Sequence, residues 1–190
     1  MKQTIEKIFA ESIAVQQKTL NDNGALIAQA AQTITRRLKA GGKVFFFGNG
    51  GSAADSQHFA AELIGRFQKE RKAIPAIALT TDTSILTALS NDYSFDIVFA
   101  RQIQGLGSSK DVAIGLSTSG NSLNVIEGLK AAKALGMATI SLTGNKGGKI
   151  ARLTDISLVV PSACTARIQE AHLCMAHALC ELVEDHWGER

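Results

Sequence analysis

Twice in this chain a short, wholly apolar run gives way to a loop of small residues that opens a helical pattern. Val44-Phe45-Phe46-Phe47 leads into Gly48-Asn49-Gly50-Gly51-Ser52, and Val112-Ala113-Ile114-Gly115-Leu116 leads into Ser117-Thr118-Ser119-Gly120-Asn121-Ser122. An apolar run without alternation reads as a strand buried on both faces, as in a parallel sheet covered by helices on both sides. A strand that passes to a helix through small residues also leaves free N–H groups at the positive end of the helix dipole, where an anion is favoured. The second loop adds four hydroxyls in six residues, although capping a helix takes only one. These loops predict a phosphorylated small molecule as ligand.

The same alternation organises the rest of the chain. Lys43–Phe47, Ala76–Leu79, Asp111–Leu116, Ala138–Leu142 and Ile156–Val160 read as strands. Ser52–Phe67, Ser84–Leu89, Phe95–Leu106 and Ser122–Leu135 read as helices, a short helix joins the last two strands, and Thr165–Trp187 forms a long final helix. Repeated β-α-β units imply right-handed crossovers and an α/β fold, a three-layer sandwich with its ligand off the carboxyl ends of the strands. Ahead of it, Ile5, Ile8, Phe9 and Ile13 form one apolar stripe, and Leu26, Ile27, Ala30, Ala31, Ile34 and Leu38 another. The intervening Asn21-Asp22-Asn23-Gly24 predicts a break, so residues 1–40 read as a pair of N-terminal helices, placed in the core or in an oligomer interface. The 190 residues fit one domain, with no repeat and no dividing linker.

Composition excludes several function classes. The 20 Lys and Arg are dispersed against 17 Asp and Glu, a net charge of +3, which leaves no nucleic-acid footprint. No apolar run approaches the ~20 residues of a membrane span, and Met1 to Leu20 has no signal-peptide core. Cys164, Cys174 and Cys180 include no CxxC pair and read as small buried hydrophobes in a reduced, cytoplasmic protein.

Other residues carry candidate chemistry. His58 and Glu62 share a helix face at i, i+4, a spacing for a divalent metal or for a base beside a polarising group. Asp55-Ser56-Gln57 reads as a polar helix face. The final helix carries Arg167-Ile168-Gln169-Glu170-Ala171-His172, then His177 and a solvated His186. Gln169 and His177 are separated by ~12 Å of rise and ~80° of turn. They share a metal only through inward-reaching side chains, a bent helix or two different subunits. His172 reads as a packing histidine or a site residue, and Asn91-Asp92 as an Asx turn or a site element. Arg66 and Arg167 either face a phosphate or pair with surface carboxylates. The first loop has no glycine at the sixth position of a dinucleotide fingerprint and no following P-loop lysine.

Together, Gly48–Asp55 (GNGGSAAD), His58-Phe59-Ala60-Ala61-Glu62, Ser117–Ser122 (STSGNS) and Arg167–His172 (RIQEAH) make the chain resemble the sugar isomerase (SIS) domain family. The likeness is strongest to members acting on a seven-carbon sugar phosphate. It covers nearly the whole chain and departs at Ala166, where some members carry an acidic residue. The resemblance implies a flavodoxin-like five-stranded parallel sheet in a homotetramer, with active sites between subunits. It implies conversion of sedoheptulose 7-phosphate to D-glycero-D-manno-heptopyranose 7-phosphate, the first step of bacterial ADP- or GDP-heptose biosynthesis. The resemblance assigns Glu62 as base and His177 as acid. It assigns one zinc per subunit to His58, Glu62, Gln169 and His177. Substrate contacts fall on Asn49, Gly50, Gly51, Glu62, Asn91, Asp92, Ser117, Thr118, Ser119, Ser122 and Gln169. The alternatives are a non-catalytic SIS protein that binds the replication initiator, a sugar-phosphate sensor, and an isomerase of a different phosphosugar such as a hexose or pentose phosphate. The initiator binder lacks counterparts of Glu62 and His177, and sensors carry an added DNA-binding module for which 190 residues leave no room.

Overall fold

The computed structural model describes residues 1–187. Five strands form one parallel sheet: β1 (Val44–Phe47), β2 (Ala76–Ala78), β3 (Val112–Ser117), β4 (Ala138–Gly144) and β5 (Ile156–Val160). Their spatial order is β2-β1-β3-β4-β5. Val44 lies opposite Ala76 on one side and Val112 on the other, and Ser117 lies opposite Thr143. Strand order therefore reverses between β1 and β3, and in open α/β sheets the ligand crevice forms at such a switch point. Both small-residue loops emerge there.

The helices are α1 (Lys2–Lys39), α2 (Gly51–Ile64), α3 (Thr83–Asp92), α4 (Val98–Leu106), α5 (Leu123–Ala134) and α6 (Thr165–Trp187). Side chains of β1 alternate between two cores. Val44 and Phe46 join Ile34, Phe59, Ile168 and Met175 of α1, α2 and α6, while Phe45 and Phe47 join Phe99, Val125 and Leu129 of α4 and α5. The run lacks polar residues because both faces are covered. β3 and β4 are likewise buried along their whole length, β4 with the buried hydroxyls of Thr139, Ser141 and Thr143, whereas the edge strands β2 and β5 alternate buried with half-buried residues. Several sequence boundaries move, α3 lengthening to Thr83–Asp92 and β4 to Ala138–Gly144. The stretch Phe95–Leu106 divides into a 3-10 turn at Phe95–Ile97 and α4. Helix α2 stops at Ile64 and not at Phe67, because the Arg71 guanidinium takes the carbonyls of Glu62, Leu63 and Gly65.

The predicted pair of N-terminal helices is one continuous helix of 38 residues. Asn21, Asn23 and Gly24 cost it up to about 1 kcal/mol each in propensity. Tertiary bonds outweigh this cost: the Asn23 amide donates to the Thr19 and Val159 carbonyls and accepts from the Val159 N–H, all at 3.0 Å. From Ile27 onward α1 is part of the core, but Ile5, Phe9 and Ile13 are 55%, 66% and 68% exposed. This first half touches α6 through Ser12, which donates to Glu170 at 2.7 Å, and through Arg167, which donates to the Ile8 carbonyl at 2.9 Å.

His172 resolves as a packing histidine. It is fully buried in α6, and its Nε2–H donates to the Thr143 carbonyl at 3.1 Å. Burial pushes its pKa down to about 4, against a smaller opposing effect of the Thr143 bond. The folded-state value lies below the unfolded one, so an unfolded chain binds a proton that the folded chain refuses. The associated stability is complete above pH 6.5 and is lost as pH falls toward 4. Between pH 7 and pH 5 His172 is expected to cost about 2 kcal/mol of stability, an order-of-magnitude figure. Urea unfolding of the wild type and His172→Gln at both pH values checks this, and identical pH dependence in the two proteins would refute it.

Candidate functional site

The first loop turns at Gly50, whose φ of 55° suits glycine, and its carbonyl accepts the Ala53 and Ala54 N–H groups that start α2. A Cβ at Gly51 would strike the amide of Gln169, so Gln169 reaches from α6 across the N-terminus of α2. The loop is tied to the second one by a reciprocal amide pair, in which Asn49 and Asn124 each donate to the other at 2.8 Å. Asn124 is buried at the start of α5 and formed part of no sequence motif.

In the second loop, Ser117 Oγ lies 2.9 Å from Ser122 Oγ and 3.4 Å from Ser119 Oγ, and Ser119 Oγ accepts the Asn121 N–H. Ser122 occupies the N-cap position of α5, but its hydroxyl makes no capping bond and turns toward Ser117. The first N–H groups of α5 thus have no side-chain cap, and hydroxyls gather beside them. Uncapped N–H groups with hydroxyls beside them are an arrangement that suits an anion.

Helices α2 and α6 run side by side in the same direction. Gln169 meets Gly51 at one level, and His177 meets His58 and Glu62 about two turns further on. Nε2 of His58 is 2.9 Å from Oε1 of Glu62 and 3.3 Å from Nε2 of His177. One ligand atom from each of the three residues lies within 4.8 Å of the others. Two imidazole nitrogens and a carboxylate oxygen at this spacing suit a divalent transition metal such as zinc. The Phe67 ring lies 5.3 Å from the His177 ring and walls the cluster on one side. Cys180, buried next to it, has its thiol pushed up to about 12 by burial and then by the Glu62 charge, so it stays protonated.

The remaining sequence candidates divide. Asn91 and Asp92 end α3, exposed, and Asn91 donates to Asp92 at 2.8 Å; among the described residues no hydrogen bond links them to either loop. Arg66 pairs with Glu70 at 3.6 Å on the surface, and Arg167 pairs with Glu170 at 2.5 Å. Ser56 is buried and donates to the Ser52 carbonyl, which corrects its reading as part of an exposed polar face. One turn before His58, burial raises the pKa of the Asp55 carboxyl, opposed by the His58 charge, and its Oδ2 has no hydrogen-bond partner. Of the cysteines, Cys180 is buried, while Cys164 and Cys174 are exposed and so are not the buried hydrophobes expected. No helix among the described residues is long and apolar enough to cross a membrane.

Residues 8–144 match the family model for the SIS domain. The chain is 55% identical to phosphoheptose isomerase of Aquifex aeolicus over 190 residues, all of both chains. It is 48% identical over 186 residues to phosphoheptose isomerase of Helicobacter pylori, covering 98% of this chain and 97% of that one. The solved structure of phosphoheptose isomerase from Neisseria gonorrhoeae superposes with a TM-score of 0.92 at 47% identity, over 97% of this chain and 98% of that one.

Proposed function

We propose, since this chain belongs to the phosphoheptose isomerase family of SIS-domain proteins, that it converts sedoheptulose 7-phosphate to D-glycero-D-manno-heptopyranose 7-phosphate. The observation that carries this reading is the meeting of Glu62 and His177, from two helices, about two turns along α2 and α6 from the level at which Gln169 crosses the first loop, which is itself bonded to the hydroxyl-lined second loop. A 7-phosphate has its phosphoryl group at one end and its reacting carbons, C1 and C2, at the other. Anion-binding loops at one level and an acid–base cluster at another suit such a molecule.

In this proposal the hydroxyls of Ser117, Thr118, Ser119 and Ser122 and the free N–H groups of α5 hold the phosphate. Asn49, Gly50, Gly51 and Gln169 bind the polyol chain. Glu62 takes the carbon proton from one of C1 and C2 and returns it to the other through an enediol or enediolate, and His177 handles the oxygen proton. His58, Glu62 and His177 would hold one zinc per subunit, with Gln169 of a neighbouring copy as the fourth ligand, since this chain's own Gln169 lies over Gly51. The two-imidazole, one-carboxylate donor set supports that choice of metal. Bound zinc supplies Lewis-acid polarisation of the sugar oxygens. The exposure of Asn91 and Asp92, which bond to each other and not to either loop, supports a site completed by a neighbouring copy, and the uncovered stripe of Ile5, Phe9 and Ile13 supports assembly of a homotetramer through α1. The whole chain then acts as one SIS domain, in the cytoplasm, at the first step of bacterial heptose biosynthesis, which feeds surface glycans such as lipopolysaccharide.

NMR of purified protein with sedoheptulose 7-phosphate, with zinc and after chelation, tests this. The expected result is zinc-dependent appearance of the heptopyranose 7-phosphate. Turnover that survives complete metal removal would keep the isomerase and discard the catalytic metal. Binding without turnover in either condition would replace the reading with a non-catalytic SIS protein.

A further inference from the structure

Beyond the reactive cluster, α2 and α6 are joined by a buried ion pair that no sequence motif contains. Arg71 and Glu184 meet at 2.9 Å with side chains 2% and 1% exposed. We propose that they are positioning residues, which hold α2 against α6 and so set the distance from His58 and Glu62 to His177. This rests on the reading of that cluster as the metal-binding, acid–base centre.

The bonds reach the cluster from both sides. Arg71 Nη2 donates to the main-chain carbonyl of Glu62 itself at 2.9 Å, and Nη1 donates to the carbonyls of Leu63 at 2.8 Å and Gly65 at 3.1 Å. The guanidinium thereby closes the C-terminal end of α2, where free carbonyls attract a cation. Glu184 lies seven residues beyond His177 in α6, two helical turns along the same face. Its carboxylate accepts four N–H groups: Arg71 Nε and the backbone of Phe67, Gln68 and Lys69, at 2.7 to 2.9 Å. Phe67, fixed in this way by its N–H, lays its ring against His177. One carboxylate thus organises the segment that grips Glu62 and the ring that packs on His177. A buried ion pair adds little net stability, because desolvation offsets the attraction, but it enforces one arrangement. Here that arrangement spans the two helices that carry the cluster.

The test is titration with Co(II), followed by its visible absorption, alongside turnover and binding of inorganic phosphate. Glu184→Gln keeps the shape but offers the three backbone N–H groups a poorer acceptor. It is expected to weaken Co(II) binding by about tenfold or more, to shift the Co(II) spectrum and to lower kcat, with phosphate affinity unchanged. Arg71→Lys, which loses the fork onto Glu62 and Leu63, is expected to do the same and serves as the readout if Glu184→Gln does not fold. Lys69→Ala, which removes an exposed pair with Asp185 on the same segment, is expected to change none of these. Co(II) affinity and spectrum like wild type in either folded variant would overturn the positioning role, even if thermal stability fell. A wild-type protein that bound no Co(II) would overturn the metal reading beneath it and this proposal together.

Discussion

Glu62→Gln is expected to abolish turnover, by at least about a thousandfold, while sugar-phosphate binding stays within about tenfold. The amide preserves side-chain length and keeps an oxygen to face His58, which lies 2.9 Å from Oε1 in the wild type. It cannot accept a proton from carbon. On the proposed function, affinity for the substrate comes largely from the phosphate, held by hydroxyls and helix N–H groups on a different element, so ground-state binding is expected to be spared. NMR detection of product, with calorimetric binding of the sugar phosphate, separates the two effects. An active Glu62→Gln protein would remove Glu62 from the role of base. Loss of binding together with turnover would show that the substitution disrupted the site as a whole.

Gly120→Ala is expected to destabilise the fold by roughly 3 kcal/mol and to weaken phosphate binding. Gly120 sits at φ 66°, a left-handed conformation costly for any residue with a Cβ. Space is the larger obstacle. A Cβ there would overlap the carbonyl of Gly147, main chain against which the second loop is packed. Gly120 is also held by two hydrogen bonds of its own: its N–H donates to the Ser117 carbonyl at 3.0 Å, and its carbonyl accepts from the Ile150 N–H at 3.0 Å. Neither neighbour is a flexible side-chain end that could turn away, so the loop must shift, and Ser117, Ser119 and Ser122 shift with it. Denaturant unfolding and phosphate titration measure both effects. Wild-type stability in Gly120→Ala would show that the backbone approach is soft.

The strands were legible because a strand covered on both faces is largely apolar, and runs such as Val44–Phe47 show this without interruption, although β4 also buries Thr139, Ser141 and Thr143. His58 with Glu62 was legible because both lie on one helix at a spacing of four. Features that depend on partners distant in sequence were not. The continuity of α1 rests on Asn23 bonding to Val159, 136 residues away; locally, Asn-Asp-Asn-Gly reads as a break. The Asn49–Asn124 pair spans 75 residues and Arg71–Glu184 spans 113. Such residues look ordinary in their own neighbourhoods: an Asn inside a helix, an Arg in a polar loop, a Glu near a helix end. Spacing alone put Gln169 and His177 too far apart to share one level of α6, and the structure agrees, since the Gln169 amide lies over Gly51. That His177 meets His58 required the parallel packing of α2 and α6, which no local pattern encodes.

Asn23 has a second consequence at the margin of the sheet. β5 is an outer strand, and the backbone groups on its free side would otherwise offer a template for a strand from another molecule. The Asn23 amide occupies both the N–H and the carbonyl of Val159, and α1 lies along that strand. Edge-to-edge aggregation is blocked there by one side chain that imitates a strand's own pairing. Asn23→Ala would therefore endanger solubility before it endangered catalysis.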